Sequence, residues 1–136
     1  MAKLDSLIIC EDIQNIIDSS NGNSFPRPQI IGPLDIISPY SVPGNYSFAI
    51  FGSISEVANG TDSKLCITIS SPQGVELFKS GELLIKNPDN KFPTIKFSFN
   101  FRNFLFPENG KYRLDVNVDG NKIDSRDIYV QAQNKV

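Results

Sequence analysis

The sequence contains no histidine, and its two cysteines are Cys10 and Cys66. Without imidazole, Ser-His-Asp and Cys-His nucleophile systems are excluded, together with most zinc sites. Two thiols alone cannot complete a structural zinc centre. Glycine-rich phosphate loops are missing too, because Ala58-Asn-Gly-Thr61 and Glu108-Asn-Gly-Lys111 are single-glycine turns. No apolar run is long enough to span a bilayer, so no membrane partner is expected. Charge of one sign does not dominate either: 13 basic and 15 acidic residues are interspersed for a net charge of −2. A nucleic-acid binder would present a basic face, so no nucleic-acid partner is expected.

Both cysteines lie inside apolar, strand-like stretches, Leu7-Ile-Ile-Cys10 and Leu65-Cys-Ile67. The opening residues Met1 to Asp12 carry a short apolar run broken by charge and no small-residue cleavage site, which reads as a native cytosolic start. Two reduced, buried thiols and a cytoplasmic setting are therefore expected. The sequons Asn45-Tyr-Ser47 and Asn59-Gly-Thr61 are chance matches without a secretion route.

What the sequence does have is alternation. Tyr112, Leu114, Val116 and Val118 take every second position against Arg113, Asp115, Asn117 and Asp119. That pattern is a strand with one buried face, because side chains alternate across the pleat. Asp119-Gly120 supplies a hairpin turn, and Ile123 to Val130 is the returning strand. The same reasoning gives strands over Leu4–Ile13, over a stretch carrying Tyr46, Phe48, Ile50 and Ile54, and over Lys64–Ser70. Ser71-Pro-Gln-Gly74 joins the last of these to Val75–Lys79 as a hairpin. Leu83–Ile85 continues the chain after a bulge at Ser80-Gly81, and Asn87-Pro-Asp-Asn90 turns it.

Gln29–Ile37 reads as a strand interrupted by Gly32-Pro33, which places it at a sheet edge or a bulge, because proline removes a ladder donor. Ile13, Ile16 and Ile17 have helical spacing, so a short helical turn over Glu11–Ser20 is the alternative to strand there. Residues 18–28, ending in Phe25-Pro-Arg-Pro28, are expected to form an exposed loop. Ile95, Phe97, Phe99 and Phe101 form a strand with an aromatic face, and the parity change at Phe104 and Phe106 implies a bulge near Asn103.

Seven or eight such strands, spaced by Pro, Gly and Asn turns, predict an all-β protein built as an antiparallel two-sheet sandwich. A closed barrel is the competing architecture. The length and the lack of an internal repeat predict one domain, residues 1–136.

Three pieces occur in order: Leu7-Ile-Ile-Cys-Glu-Asp12, Gln29-Ile-Ile-Gly-Pro-Leu-Asp35 and Phe106-Pro-Glu-Asn-Gly-Lys-Tyr-Arg-Leu-Asp-Val-Asn-Val-Asp-Gly120. Together they resemble a family of small uncharacterised bacterial proteins with an immunoglobulin-like β-sandwich fold. The stretch from Asn15 to Arg27 is longer than that family's usual connection. The resemblance implies a bacterial or phage source and a sandwich, and it brings no activity and no catalytic residues.

Candidate sites are few. Asp115-Val-Asn-Val-Asp-Gly120 matches the opening of a calcium loop. Arg126 stands where the closing carboxylate belongs, however, and the valines mark a strand. Glu11-Asp12 is half of an acid pair with no partner named by spacing. No metal, cofactor or catalytic residue is expected. Arg113, Asp115 and Asn117 are expected to face Asp124, Arg126 or Asp127 across the terminal hairpin as a structural ladder. Contact residues are sought among aromatics: Phe25 and Arg27 in the proline-flanked loop, and Phe104 and Phe106 if the bulge turns them outward. The expected function is a non-catalytic cytosolic binding or adaptor module acting through protein–protein contacts or self-association. A small-ligand-binding sandwich and a phage or virion structural component are the alternatives.

Overall fold

A computed structural model describes residues 2–18, 25–56, 63–85 and 94–134. Within these residues ten strands follow in order: β1 Lys3–Asp18, β2 Phe25–Pro33, β3 Ile36–Ile37, β4 Gly44–Ser55, β5 Ser63–Ser70, β6 Glu76–Lys79, β7 Leu83–Ile85, β8 Thr94–Phe106, β9 Gly110–Val118 and β10 Asn121–Val130. They make two sheets. One is ordered β2-β1-β4-β8, and the other β3-β10-β9-β5-β6, with β7 beside β6 on the same flank of β5. This is the expected sandwich, with ten strands among the described residues in place of seven or eight, because Gln29–Ile37 divides into β2 and β3 and Leu83–Ile85 pairs as a strand of its own. Its antiparallel rule has one exception there: β3 runs parallel to β10.

The core lies between the sheets, where the alternating rows meet. Phe48, Ile50 and Ile54 from β4 pack against Leu65, Ile67 and Ile69 from β5 and Tyr112, Leu114 and Val116 from β9. Of their opposite-parity neighbours, Lys64, Lys111 and Arg113 are exposed, whereas Ala49 and its register partner Cys10 are buried. The predicted β5–β6 hairpin is present, paired Thr68↔Lys79 and Ile69↔Phe78. Where β6 gives way to β7, Ser80 closes the gap: its N–H donates to the Ile67 carbonyl at 2.9 Å and its Oγ accepts from the Ile67 N–H at 2.9 Å.

Two expectations are corrected at the start of the chain. No helical turn forms over Glu11–Asp18, because β1 continues as strand through Asp18. Nor are residues 25–28 loop, because β2 begins at Phe25. The register runs Gln14↔Gln29, Asn15↔Pro28, Ile16↔Arg27, Ile17↔Pro26 and Asp18↔Phe25. The β-branched isoleucines suit a strand, and the ladder satisfies backbone groups that a lone helical turn would leave to water. Residues 19–24 lie outside the described residues, as do the turns at Ala58–Thr61 and Asn87–Asn90.

The Gln29–Ile37 stretch divides between the sheets. Pro33 ends β2 at the edge of the first sheet, as a proline-containing strand requires, and Ile36–Ile37 joins the second. At the other end of the chain, Asp119 (φ 53°) and Gly120 (φ 81°) form the two-residue turn between β9 and β10.

Candidate binding edge

Among the described residues β8 ends the first sheet, and β4 is its single ladder partner. Its inner row is aromatic because β4 presents matching positions in register: Ile54↔Ile95, Gly52↔Phe97, Ile50↔Phe99 and Phe48↔Phe101. Phe101 stacks on Phe48 with centroids 4.7 Å apart and planes at 14°, and Phe78 of β6 meets it edge-on at 4.9 Å. Gly52 makes room for Phe97: a Cβ there would lie 2.4 Å from the ring Cζ. Phe101 is buried, whereas Ile95, Phe97 and Phe99 are half-buried, so the row opens to solvent beside the sheet edge. The outer row, Lys96, Ser98, Asn100 and Arg102, is exposed.

The bulge near Asn103 is present. Pairing moves from Phe48↔Phe101 to Tyr46↔Phe104, Asn103 takes φ 53°, and its N–H donates to Ser47 Oγ at 3.0 Å. Its consequence differs from the outward turn on which a contact role for Phe106 depended. The extra residue returns Phe104 and Phe106 to the inner face and turns Leu105 outward, 55% exposed. Phe106 is 0% exposed, edge-on to Tyr112 at 5.3 Å, so it is a core residue and not a surface contact. Phe104 is half-buried against Phe48, Phe101 and Phe106 at 5.8, 5.7 and 4.9 Å. Phe25 and Arg27 are placed on β2 as register partners of Asp18 and Ile16, at the end of the described sheet order opposite β8.

An exposed apolar pair that alternation did not single out lies at the other sheet's edge. Ile36 and Tyr129, 50% and 51% exposed, are register partners on β3 and β10. The signal was an apolar residue at an outward position of each strand, which sequence parity alone does not distinguish from a strand shift.

Asp12 and Asp119 serve the fold as acceptors of main-chain N–H groups. Asp12 Oδ1 accepts the Ile13 N–H at 2.9 Å, and Asp119 Oδ1 accepts the Lys64 N–H at 2.9 Å. The calcium-loop match is a strand leading into the tight turn. Asp115 accepts a hydrogen bond from Ser125 Oγ, its register partner, while Arg113 pairs with Asp127 and Asn117 with Lys122. A register shift between Lys122 and Asp124 sends Arg126 to Leu114, so Arg126 instead meets Asp124 of its own strand at 3.2 Å. Among the described residues no three His, Cys, Asp or Glu side chains are grouped to hold a metal.

Concavities are shallow. An apolar one of about 230 Å³ lies between Ala2, Val118 and Ile123, and a polar shelf of about 370 Å³ between the Ser71–Gly74 turn and Lys111, Arg113 and Asp127. Cys10 is buried on β1 and Cys66 is half-buried on β5 in the opposite sheet, and both are free. Burial pushes the Cys10 thiol up from its ordinary value, with the Asp12 carboxylate adding to the rise and a hydrogen bond to the Asp12 carbonyl opposing it.

Two packed sheets, with the Tyr112 hydroxyl donating to the Glu108 carbonyl at 2.7 Å at the corner between β8 and β9, define an immunoglobulin-like β-sandwich. The chain belongs to DUF6941, a family of unknown function, which it matches over residues 6–131. Among solved structures it is similar to an immunoglobulin-like protein from Pseudomonas aeruginosa, at 18% identity and TM-score 0.48, covering 96% of this chain and 97% of that one. The C-terminal domain of wzt is similar at 15% identity and TM-score 0.50, over 99% of this chain and 75% of that one. These likenesses concern the fold alone. Nothing among curated proteins matches.

Proposed function

We propose that this protein is a non-catalytic binding module acting through protein–protein contacts along an open sheet edge, in a cytosolic setting. The observation that carries the reading is β8, a strand of 13 residues whose described ladder uses only one side. An extended segment laid alongside it gains main-chain hydrogen bonds from the free edge and apolar contact from Phe97 and Phe99. Lys96 and Arg102 on the outer row then select among such segments by charge. The absence of histidine and the use of Asp12 and Asp119 as main-chain acceptors support a non-catalytic reading.

The test is a photo-crosslinking amino acid placed at Asn100, on β8, or at Lys122, in the far hairpin, in the cell that makes the protein. A discrete protein adduct at Asn100 and none at Lys122 is expected. No adduct at Asn100, or the same adducts at both positions, overturns the reading.

A further inference from the structure

β1 is long for its sheet. It pairs with β4 only as far as Cys10↔Ala49, and from Asp12 to Asp18 its ladder partner is β2 alone. Residues 11–18 and 25–32 therefore form a two-stranded arm of roughly 27 Å, at about 3.4 Å per residue over eight residues. The β4-side edge of that arm is unpaired among the described residues. A two-stranded ribbon is marginal by itself and gains most from a third strand. The β2 side is the poorer place to add one, since Pro26 and Pro28 lack N–H donors.

The free edges of β1 and β8 are complementary. Asp12 and Asp18 are separated by the same number of residues as Lys96 and Arg102. An antiparallel register that sets Asp12 opposite Arg102 also sets Asp18 opposite Lys96. The alternate row of that register sets Ile13 opposite Phe101 and Ile17 opposite Phe97. Two acidic positions then stand opposite two basic ones in one row, and two isoleucine positions opposite two phenylalanine positions in the other. The β8 edge pairs poorly with a second β8, whose row carries the same cations. Lys96 and Arg102 have no acidic partner among the described residues, and Asp12 has no basic one.

We infer that the partner of the β8 edge is a second copy of this chain, which lays residues 11–18 of its β1 antiparallel along β8 with Asp12 opposite Arg102. This deepens the edge-binding reading and rests on it. Each copy holds one donor and one acceptor edge, so the contact is heterologous. Two copies related by a two-fold axis satisfy both edges, and otherwise the contact repeats around a closed ring or along an open chain.

Light scattering across a concentration series tests this with Asp12→Lys, Arg102→Glu and the double variant, each checked for native fold by its far-ultraviolet spectrum. Wild type is expected to self-associate, each single charge reversal to weaken association about tenfold or more, and the double reversal to restore it. Restoration cannot come from a misfolded chain, and Arg102→Glu changes an exposed side chain. A wild type that stays monomeric, or association indifferent to both single reversals, or a double variant no better than either single one, overturns the inference. A monomer whose Asn100 still crosslinks to another protein ends the second-copy inference and leaves the edge-binding reading standing. No adduct at all ends both.

Discussion

The Tyr112 hydroxyl makes two hydrogen bonds to one residue. It donates to the Glu108 carbonyl at 2.7 Å and accepts from the Glu108 N–H at 3.1 Å. The phenol thereby fixes the corner that carries the chain from β8 in one sheet to β9 in the other. Gly110, at φ 137°, lets the corner close against Pro72, where a Cβ would stand 2.8 Å from the ring Cγ. Asn109 Oδ1 accepts from the Ala132 N–H at 2.8 Å and ties the end of β10 to the same corner. Tyr112→Phe keeps the ring and deletes both bonds, leaving a part-buried N–H and C=O without partners. A loss of about 1–3 kcal/mol in chemical denaturation is expected.

Burial raises the Tyr112 pKa above its ordinary 10.0, and the Glu108 carboxylate adds to the rise while the bond to the Glu108 backbone opposes it. The unfolded chain therefore loses this proton at lower pH than the folded one. The contribution is fully present below about pH 10 and is lost as pH climbs through the folded value. Stability measured from neutral pH into that range should fall, and the fall should be shallower in Tyr112→Phe than in wild type.

Phe106 and Leu105 are adjacent yet opposite in fate, one fully buried and the other 55% exposed. Phe106→Ala should cost about 3–5 kcal/mol. Leu105→Ala should stay within about 0.5 kcal/mol of wild type. Urea titrations of the two variants check the direction in which the bulge turns the strand.

Gly52→Ala puts a methyl group where the Phe97 ring lies. Overpacking of about 1–3 kcal/mol is expected. Thermal melts of Gly52→Ala and of Gly52→Ala with Phe97→Leu check it, since the smaller side chain should recover part of the loss.

The two thiols should react differently with an alkylating reagent at mildly alkaline pH. Cys66, half-buried on β5, is expected to be modified in the native protein, and Cys10 only after unfolding. Mass spectrometry of the intact chain before and after denaturation counts the modified sites.

Much of this fold was legible because alternation is local. Tyr112 to Val118 announces a half-buried strand, and the shift from Phe101 to Phe104 announces the bulge at Asn103. The arm was not legible, since its β2 half reads Phe25-Pro-Arg-Pro28, a composition suited to loops. What makes it strand is pairing with Asn15–Asp18, and no window of sequence contains both sides. The fate of Phe106 was equally hidden, because a bulge changes parity without saying which row then faces the core. The candidate edge on β8 becomes visible only when the sheet order shows which strand comes last.

Hydrogen exchange along β8, followed from dilute to concentrated protein, bears most directly on the claim that this edge takes an added strand. The account predicts that amides over Thr94–Arg102 and over residues 11–18 gain protection as the protein associates. Those of β5 and β9, already paired on both sides, should stay unchanged. Protection that leaves β8 untouched, or that rises equally in every strand, would contradict it.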